Sequence, residues 1–576
     1  MKVNNQGASP PPYIVLLTIA VIQGLALLAL YQAYQYKVWP SQTPVFAYPL
    51  LAVTVLLPIG LQLALTQTNV RLLVQLSIGC SILIALLAGY LGFQATPINA
   101  FKTDALNVRG LLAGGVASFI ALIFVQQLSS GTERSYGQLL LFSWRNLLMG
   151  IFAALFVGLF FLMLLLWSAL FAQIGIEIFK DVFFEAWFLI PTLTIAFSVG
   201  LAVFKELTGI IDQIWRLVRA LIRLLLPLIL TVSVLFSASL PFTGLDVLWA
   251  TNLGTALLLA IAFVVLFYLN IVYQDGVSDH PYPELIHRWI TVSLPVVVIL
   301  SLLSLVGLFA RLDQYGWTVA RFWAGFIWAF LTLFSVSYTW MVWKLRWRWP
   351  EGLSVCNTRI AVLMLAGLVL VNSPLLDFRK LSLASQMARL ERGDVTLYTF
   401  DFFYVRQELA RPGYLAIEQL KASLGDDDAE LLAKIESPAR ITNSSASASW
   451  VYHPSDLVLP ETLVDAITGS SLSPLSPEQR VSVFVVKIDM NEDGRSDYAF
   501  IPLEERELWR AAVYTERSGA WHPKPLVANQ VLNENGDPRA WTAERIDDSV
   551  PRLRDAPFKD LVIGETVFRA NFEIDR

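Results

Sequence analysis

Residues 292–309 read Val292-Ser-Leu-Pro-Val-Val-Val-Ile-Leu-Ser-Leu-Leu-Ser-Leu-Val-Gly-Leu-Phe309, a run without a single charged side chain. A helix of about 20 residues crosses the roughly 30 Å hydrocarbon core of a bilayer, so this run approaches the length of a membrane span. Polar motifs flank it on both sides: Tyr268-Leu-Asn-Ile-Val-Tyr-Gln-Asp-Gly276 before it, and Arg311-Leu-Asp-Gln-Tyr-Gly-Trp-Thr-Val-Ala-Arg321 after it. The stretch predicts one membrane helix with dense polar sequence at each end.

The rest of the chain repeats this pattern. Of its 576 residues, 56% are hydrophobic and 15% are charged, and the mean hydropathy is +0.58. Soluble domains carry about 25% charged residues, so we predict a mainly α-helical, polytopic membrane bundle. The candidate spans are Tyr13–Tyr34, Val45–Leu65, Leu73–Phe93, Leu111–Val125, Leu147–Ile174, Trp187–Phe204, Leu224–Leu240, Val247–Val272, Val292–Phe309, Thr318–Val342 and Ile360–Val371. We therefore expect about eleven transmembrane helices.

Charge divides the chain near Pro374. Residues 1–374 hold 19 Lys and Arg against 13 Asp and Glu, whereas residues 375–576 hold 23 against 33. We predict a membrane domain over 1–374 and an acidic, water-soluble α+β domain over 375–576. Its expected helices are Leu383–Arg392 and Phe402–Leu424, and its expected strands are Val481–Ile488, Tyr498–Leu503, Trp509–Tyr514 and Val562–Phe572. The two cysteines, Cys80 and Cys356, exclude a disulfide framework and a zinc site built on several cysteines.

The distribution of Lys and Arg predicts the orientation. Numbered from the first span, the even connections carry Arg71, Arg134, Arg145, Lys205, Arg216, Arg219, Arg223, Arg288, Lys344, Arg346, Arg348 and Arg359. The odd connections hold fewer cations. Because cytoplasmic loops are enriched in Lys and Arg, we expect the even connections and the N-terminus in the cytoplasm. With eleven spans, the C-terminal domain would then be extracytoplasmic.

Two basic segments admit more than one interpretation. Arg216, Arg219 and Arg223 recur at helical spacing among apolar residues, which fits an amphipathic helix on the anionic inner leaflet or an ordinary cytoplasmic flank of a span. Trp343-Lys-Leu-Arg-Trp-Arg-Trp349 is similarly aromatic and basic. We interpret it as a membrane-interface anchor and expect no nucleic-acid partner.

One motif in the C-terminal domain suggests a metal. In Asp489-Met-Asn-Glu-Asp-Gly-Arg-Ser-Asp497, the side chains of Asp489, Asn491, Asp493 and Asp497 place oxygen at positions 1, 3, 5 and 9, and Arg495 would contribute its backbone carbonyl. This is the spacing of a calcium loop, although position 12 is not Glu. The motif therefore predicts structural Ca²⁺, with a metal-free turn as the alternative because Asp, Asn and Gly also favour turns.

Catalytic signatures are absent from the sequence. It contains no Walker loop, HExxH, GxSxG or dinucleotide-binding fingerprint. The predicted spans hold almost no ionisable residue near their centres, which argues against a charge-coupled pump. His280 and His287 are separated by two prolines, and we interpret them as loop structure. If the protein is an enzyme, we expect Glu177, Asp181, Asp246 and Arg321 to supply polar groups at the outer face.

Three segments resemble a known family. Tyr268–Gly276 with its Tyr-Gln-Asp-Gly ending, Asp313–Arg321, and the pair Ala388–Gly393 and Phe400–Leu409 are similar to DUF4153, a family of bacterial multi-pass membrane proteins of unknown function. The matching residues within the first two segments are Tyr273, Gln274, Asp275, Gly276, Tyr315, Gly316 and Arg321. The resemblance implies the bacterial cytoplasmic (inner) membrane and supplies no catalytic residue.

Three functions remain open from the sequence. The leading hypothesis is a non-enzymatic envelope role, as a transporter-like or scaffolding protein in the lipid bilayer whose acidic C-terminal domain contacts an envelope protein. The second is a membrane enzyme acting on a lipid-linked envelope substrate. The third is a sensor of calcium or of the state of the envelope.

Overall fold

The computed structural model describes residues 13–65, 69–131, 134–244, 254–276, 281–397, 400–423, 431–432, 435, 450–453, 459–460, 462–463, 483–490, 495–502, 511–517, 520–529, 552–554, 560–563 and 566–570. The chain forms two compact units, one of residues 1–400 with 404–435 and one of residues 401–403 with 436–576. This division falls later than the composition boundary at Pro374, because the helices that follow Pro374 pack on the first unit.

The first unit is helical throughout its described part. Its helices are α1 Tyr13–Gln35, α2 Pro44–Ala64, α3 Val70–Gln94, α4 Asp104–Ser129, α5 Tyr136–Gln173, α6 Ile178–Phe183, α7 Ala186–Glu206, α8 Thr208–Thr243, α9 Gly254–Tyr273, α10 Glu284–Ser293, α11 Val296–Tyr315, α12 Val319–Leu345, α13 Leu353–Val371, α14 Phe378–Glu391, α15 Phe402–Glu408 and α16 Ala410–Ser423. Arg346–Gly352 forms a 3₁₀ turn between α12 and α13.

Within the described residues, ten segments are long and apolar enough to cross a membrane. The last of them, Val319–Val371, contains two helices, α12 and α13. These helices are antiparallel, because Phe326 near the start of α12 lies against Gly367 near the end of α13, and Tyr338 reaches Asn357 at the opposite end. The prediction of a polytopic helical membrane protein is confirmed.

Large apolar side chains cover the outside of this bundle. Leu112, Leu166 and Leu224 expose 65%, 67% and 76% of their surface, whereas a cluster containing Leu258 and Leu300 is buried between α8, α9, α11 and α12. Helices suit such sequences because each satisfies its own backbone hydrogen bonds where water is absent. The exposed leucines form a surface that lipid tails can cover.

Contacts between connections define two ends of the bundle. At the first end Asn69 donates to the carbonyl of Ser129, and Arg219 donates to that of Val272. We call this the basic end; its connections are 65–70, 130–135, 206–208, 274–283 and 346–352, the even connections of the sequence. Nine of its cations are exposed: Arg71, Arg134, Arg216, Arg223, Arg288, Lys344, Arg346, Arg348 and Arg359. The opposite end, where α14–α16 pack on the connections 95–103 and 316–318, we call the docking end.

The second unit is a sheet of eight strands, β1 Trp450–His453, β2 Val483–Ile488, β3 Asp497–Pro502, β4 Ala512–Arg517, β5 Ala520–Asn529, β6 Arg552–Arg554, β7 Asp560–Ile563 and β8 Thr566–Ala570. Their order is β1-β2-β3-β4-β5-β8-β7-β6, with β1 parallel to β2 and the other described pairs antiparallel. The predicted pairing of the strands on either side of the Asp489–Asp497 loop is confirmed, with Val485 opposite Phe500.

Candidate functional site

Two turns meet at the basic end. Gly276, with φ 71°, lies against the backbone carbonyl of Pro350, and a Cβ at Gly276 would overlap that carbonyl. Gln274 and Arg346 are also left-handed, with φ 51° and 53°. Such backbone at a non-glycine residue costs roughly 1–3 kcal/mol, so surrounding contacts must hold both turns in place. The Tyr273–Gly276 motif is therefore a packing site for the 3₁₀ turn Arg346–Gly352.

His287 ties these turns together. Its side chain lies 3.0 Å from the hydroxyl of Tyr273 through Nδ1 and 2.8 Å from the carbonyl of Trp347 through Nε2. A carbonyl oxygen only accepts, so Nε2 carries a proton and donates to Trp347. His287 is 4% exposed. The imidazole thus joins the end of α9, helix α10 and the 3₁₀ turn.

Trp349 closes the same junction. Its indole Nε1 donates to Thr291 Oγ1 at 3.0 Å, and its ring centroid lies 4.9 Å from that of Tyr273. Trp349 is fully buried. The indole and imidazole donors therefore fix the 3₁₀ turn from within the bundle.

A polar cluster lies one layer deeper. Asn357 Nδ2 donates to Asn270 Oδ1 at 2.6 Å and to the hydroxyl of Tyr136 at 3.0 Å, and the hydroxyl of Tyr338 donates to Asn357 Oδ1 at 2.6 Å. Tyr338 is fully buried. These polar groups from α5, α9, α12 and α13 form hydrogen bonds with one another, so the cluster holds the four helices together.

Lys205 is a buried cation in this part of the bundle. Its ammonium donates to the carbonyl of Gln62, and Gln126 Nε2 donates to the carbonyl of Leu63 at 3.4 Å. Lys205 is 9% exposed. The last carbonyls of a helix lack intrahelical partners and carry the negative end of its dipole. Lys205 therefore caps the C-terminal end of α2.

Charged and polar side chains fasten α15 at the docking end. Nη2 of Arg109 in α4 lies 2.7 Å from Oε2 of Glu408. The hydroxyl of Tyr404 accepts the backbone N–H of Val319 at 2.8 Å. Burial raises the pKa of Tyr404 above its usual value of 10.0, outweighing the hydrogen bonds that lower it. The hydroxyl therefore stays protonated at neutral pH, and α15 is held on both α4 and α12.

The Tyr315–Arg321 motif also makes an interhelical contact. Gly316, with φ 69°, leaves no room for a Cβ beside Arg389 of α14. Ser382 Oγ donates to the carbonyl of Trp317 at 3.0 Å, and the N–H of Trp317 donates to Ser385 Oγ at 3.2 Å. Helix α14 therefore packs on the turn after α11.

A small cavity lies where these helices meet. Its volume is about 30 Å³, room for one or two water molecules. Asp377, whose carboxylate is 2% exposed, accepts from the hydroxyl of Tyr90 at 2.6 Å and forms a two-point pair with Arg379. The cavity is lined by Leu91, Leu106, Arg109, Gly110, Val319, Trp323, Val371, Asn372, Asp377, Phe378, Arg379 and Glu408. Its four charged groups form two ion pairs, so the cavity is electrically balanced.

No family model, curated protein or solved structure matches the chain. The similarity to DUF4153 therefore stays a prediction. The structure nevertheless shows what its three segments do here: Tyr273–Gly276 packs on the 3₁₀ turn, Gly316 and Trp317 receive α14, and Tyr404 and Glu408 fasten α15. All three segments hold helices together at the two ends of the bundle.

The proposed enzyme residues do not form one described site. Glu177 and Asp181 are exposed beside or within the short helix α6, which packs on α5 and α7. Arg321 instead donates to the carbonyl of Gly316 at 3.0 Å and stabilises the turn before α12. Asp246 and His280 lie outside the described residues, as does the side chain of Tyr315.

The calcium prediction is covered only in part. Asp489, Arg495 and Asp497 are described, whereas Asn491 and Asp493 lie outside the described residues. The N–H of Met490 donates to Asp497 Oδ2 at 3.0 Å, so Asp497 already bridges the two ends of the loop. Within the described part of the chain no three His, Cys, Asp or Glu side chains are grouped to hold a metal. Structural Ca²⁺ stays a prediction.

Sequence reasoning did not single out Arg109, Asp377 or Glu408. Arg109 counted only as a cation in an odd connection, and the other two carboxylates counted as part of an acidic domain. Only their position in the sequence could have marked them as candidate site residues, because each lies within a few residues of a predicted span or within a segment that resembles DUF4153. Their pairing depends on α15 folding back against α4, which periodicity in a single sequence does not reveal.

Proposed function

We propose that this chain is an integral protein of the bacterial cytoplasmic membrane with a non-enzymatic scaffolding role in the envelope. The observation that carries the proposal is the attachment of α15 to the bundle through Arg109 and Glu408. The contact fastens the segment that follows the last span to the bundle itself. That acidic unit would supply the contact to an envelope protein.

The orientation is part of this proposal. Nine exposed cations at the basic end support a cytoplasmic position for that end. The docking end, with α14–α16, would then face the extracytoplasmic side together with the C-terminal unit. A reporter fused after Arg576 should be active outside the cytoplasm, and activity confined to the cytoplasm would reverse the assignment.

A scaffold fits the polar groups of the bundle better than a transporter does. Asn270, Asn357 and Tyr338 satisfy one another, and the cavity at the docking end holds water-sized molecules only. Transport sites in helical bundles use polar groups that face a substrate near the bilayer centre. The polar groups of the Asn270, Asn357 and Tyr338 cluster instead face each other.

A membrane enzyme acting on a lipid-linked envelope substrate is the second candidate. It is favoured by the convergence of Arg109, Asp377, Arg379 and Glu408, from separate segments of the chain, on one cavity at the docking end. Two guanidinium groups and two carboxylates could bind a charged headgroup and exchange protons with it. The mutual pairing of these four groups favours the structural role.

A charge exchange separates the two candidates. A deletion strain complemented with Arg109→Glu or Glu408→Arg should lose envelope function, because like charges would face each other. The double variant Arg109→Glu, Glu408→Arg should restore function if the pair only fastens α15. Restored protein level and α15 protection from protease without restored function would overturn the scaffold in favour of the enzyme. Variants Glu177→Gln and Asp181→Asn serve as matched controls and should complement fully.

A further inference from the structure

The last residues of α12 and the 3₁₀ turn after it divide their side chains between the interior and the surface. Trp349 is fully buried, whereas Trp343 and Trp347 expose 72% and 45% of their surface. Lys344 and Arg346 are exposed as well. Aromatic side chains of this kind prefer the headgroup level of a bilayer. The surface formed by Trp343, Lys344, Arg346 and Trp347, which we call the Trp-basic surface, therefore lies where lipid headgroups are found.

This surface is held on a rigid support. The buried indole of Trp349 and the imidazole of His287 fix the turn from inside, and Gly276 packs against its Pro350 carbonyl. Arg346 itself is kept at φ 53°, a conformation that persists only where neighbouring contacts impose it. A preorganised surface loses little conformational entropy when it binds a ligand. The backbone that carries Arg346 is thus held in a fixed conformation.

Within the described residues, acidic neighbours do not neutralise the two cations of this surface. Arg348 pairs with Glu351, and Arg288 pairs with Glu284 while its guanidinium lies 5.6 Å from the centroid of the Trp347 ring. Over the part of the chain that the structure describes, no ion pair involves Lys344 or Arg346. Two cations beside two exposed indoles match an anionic phosphate attached to an apolar chain.

We propose that the Trp-basic surface is a binding site for an anionic phospholipid. The phosphate would accept from the ammonium of Lys344 and the guanidinium of Arg346, while the acyl chains lie along exposed apolar side chains such as Trp340, 58% exposed, one turn before Trp343. Each cation near an anionic membrane surface contributes about 1 kcal/mol, which corresponds to about fivefold in affinity. The site goes beyond the scaffolding role and does not depend on it.

Native mass spectrometry of the full chain in detergent tests the proposal, with phosphatidylglycerol, phosphatidylcholine and inorganic phosphate as separate probes. The wild type should retain phosphatidylglycerol in preference to phosphatidylcholine. The variant Lys344→Ala, Arg346→Gly removes both charges, and glycine at φ 53° relieves backbone strain, so the fold should persist. This variant should bind phosphatidylglycerol about 25-fold more weakly, at about fivefold per cation.

The matched control is Arg71→Ala, Arg134→Ala, which removes two exposed cations that belong to other connections of the same end. It should retain phosphatidylglycerol within about twofold of the wild type. Equal weakening in both double variants would overturn the site, because it would indicate diffuse attraction to the whole basic end. Equal retention of phosphatidylcholine, or binding of inorganic phosphate as tight as that of the lipid, would overturn it too.

Discussion

Gly276, in the turn after α9, lies directly against the backbone carbonyl of Pro350, in the turn between α12 and α13. The two residues are far apart in sequence, and each turn is followed or preceded by a membrane helix. Their contact joins the Tyr273–Gly276 motif to the Trp-rich turn. A side chain at position 276 would therefore separate two pairs of spans at the basic end.

Gly276→Ala should destabilise the protein strongly. The left-handed φ of 71° costs an alanine roughly 1 kcal/mol, and overlap with the Pro350 carbonyl adds at least about 2 kcal/mol. Thermal unfolding in detergent measures the loss. Gly393→Ala is the matched control, because Gly393 has φ 79° and open space around it. A loss no larger than that of Gly393→Ala would show that the turns do not need this contact.

Asn357→Leu should also destabilise the bundle. The change removes one acceptor of the Tyr338 hydroxyl and the amide that donates to Asn270 Oδ1 and to the Tyr136 hydroxyl, while Tyr338 can still donate to Asn270 Oδ1 at 3.0 Å; a buried group left unsatisfied costs roughly 1–3 kcal/mol. Tyr338→Phe in the Asn357→Leu background should cost less than in the wild type, because one of the two acceptors of the hydroxyl has already gone. A double-mutant cycle in thermal unfolding measures this coupling, and additive losses would contradict a shared cluster.

Tyr404 predicts an alkaline limit to the attachment of α15. Its pKa is raised on folding, so its contribution to stability is complete below the unfolded value of 10.0 and disappears as the pH rises through the higher folded value. We expect α15 to become sensitive to protease above that range. The difference in ultraviolet titration between the wild type and Tyr404→Phe reports the ionisation, and a difference centred below pH 10.0 would contradict burial of the hydroxyl.

The Asp489–Asp497 loop predicts a response to calcium. If it binds structural Ca²⁺, calcium at about 10⁻³ M, the range of weak extracellular sites, should raise the unfolding temperature of the full chain in detergent. The variant Asp489→Ala, Asp493→Ala should lose this response. Equal responses in both proteins, or none in either, would favour a turn closed by Asp497 alone, as the 3.0 Å contact from Met490 already suggests.

The sequence predicts the membrane fold well, because runs of apolar residues have few other uses. It was less exact where a polar residue is buried within a helix. Ile360–Val371 was predicted as a short span, but α13 begins at Leu353, since Asn357 interrupts the hydropathy while its amide is satisfied by Asn270 and Tyr136. One predicted helix, Phe402–Leu424, divides at Ala410, because Pro412 lacks the N–H that a continuous helix would need.

The candidate site was less accessible to sequence reasoning. The motifs around Gly276 and Gly316 stood out as unusual, and both glycines proved to be positions where another segment of the chain comes too close for a Cβ. The partners of these motifs, Pro350 and α14, could not be identified, because no local pattern encodes which distant turn a glycine will face. His287 was interpreted as loop structure, although its two ring nitrogens connect three segments.

The ion pair between Arg109 and Glu408 also has a consequence for the synthesis and folding of the protein. A ribosome makes α4 long before α15, and domains fold as the chain emerges from the N-terminal side. Until residue 408 has been synthesised and moved to the docking end, the Arg109 guanidinium lacks this carboxylate and Val319 lacks the Tyr404 hydroxyl. Helices made late in synthesis therefore complete the packing of earlier ones, and we expect a chain that ends before Glu408 to expose its docking end to quality-control proteases.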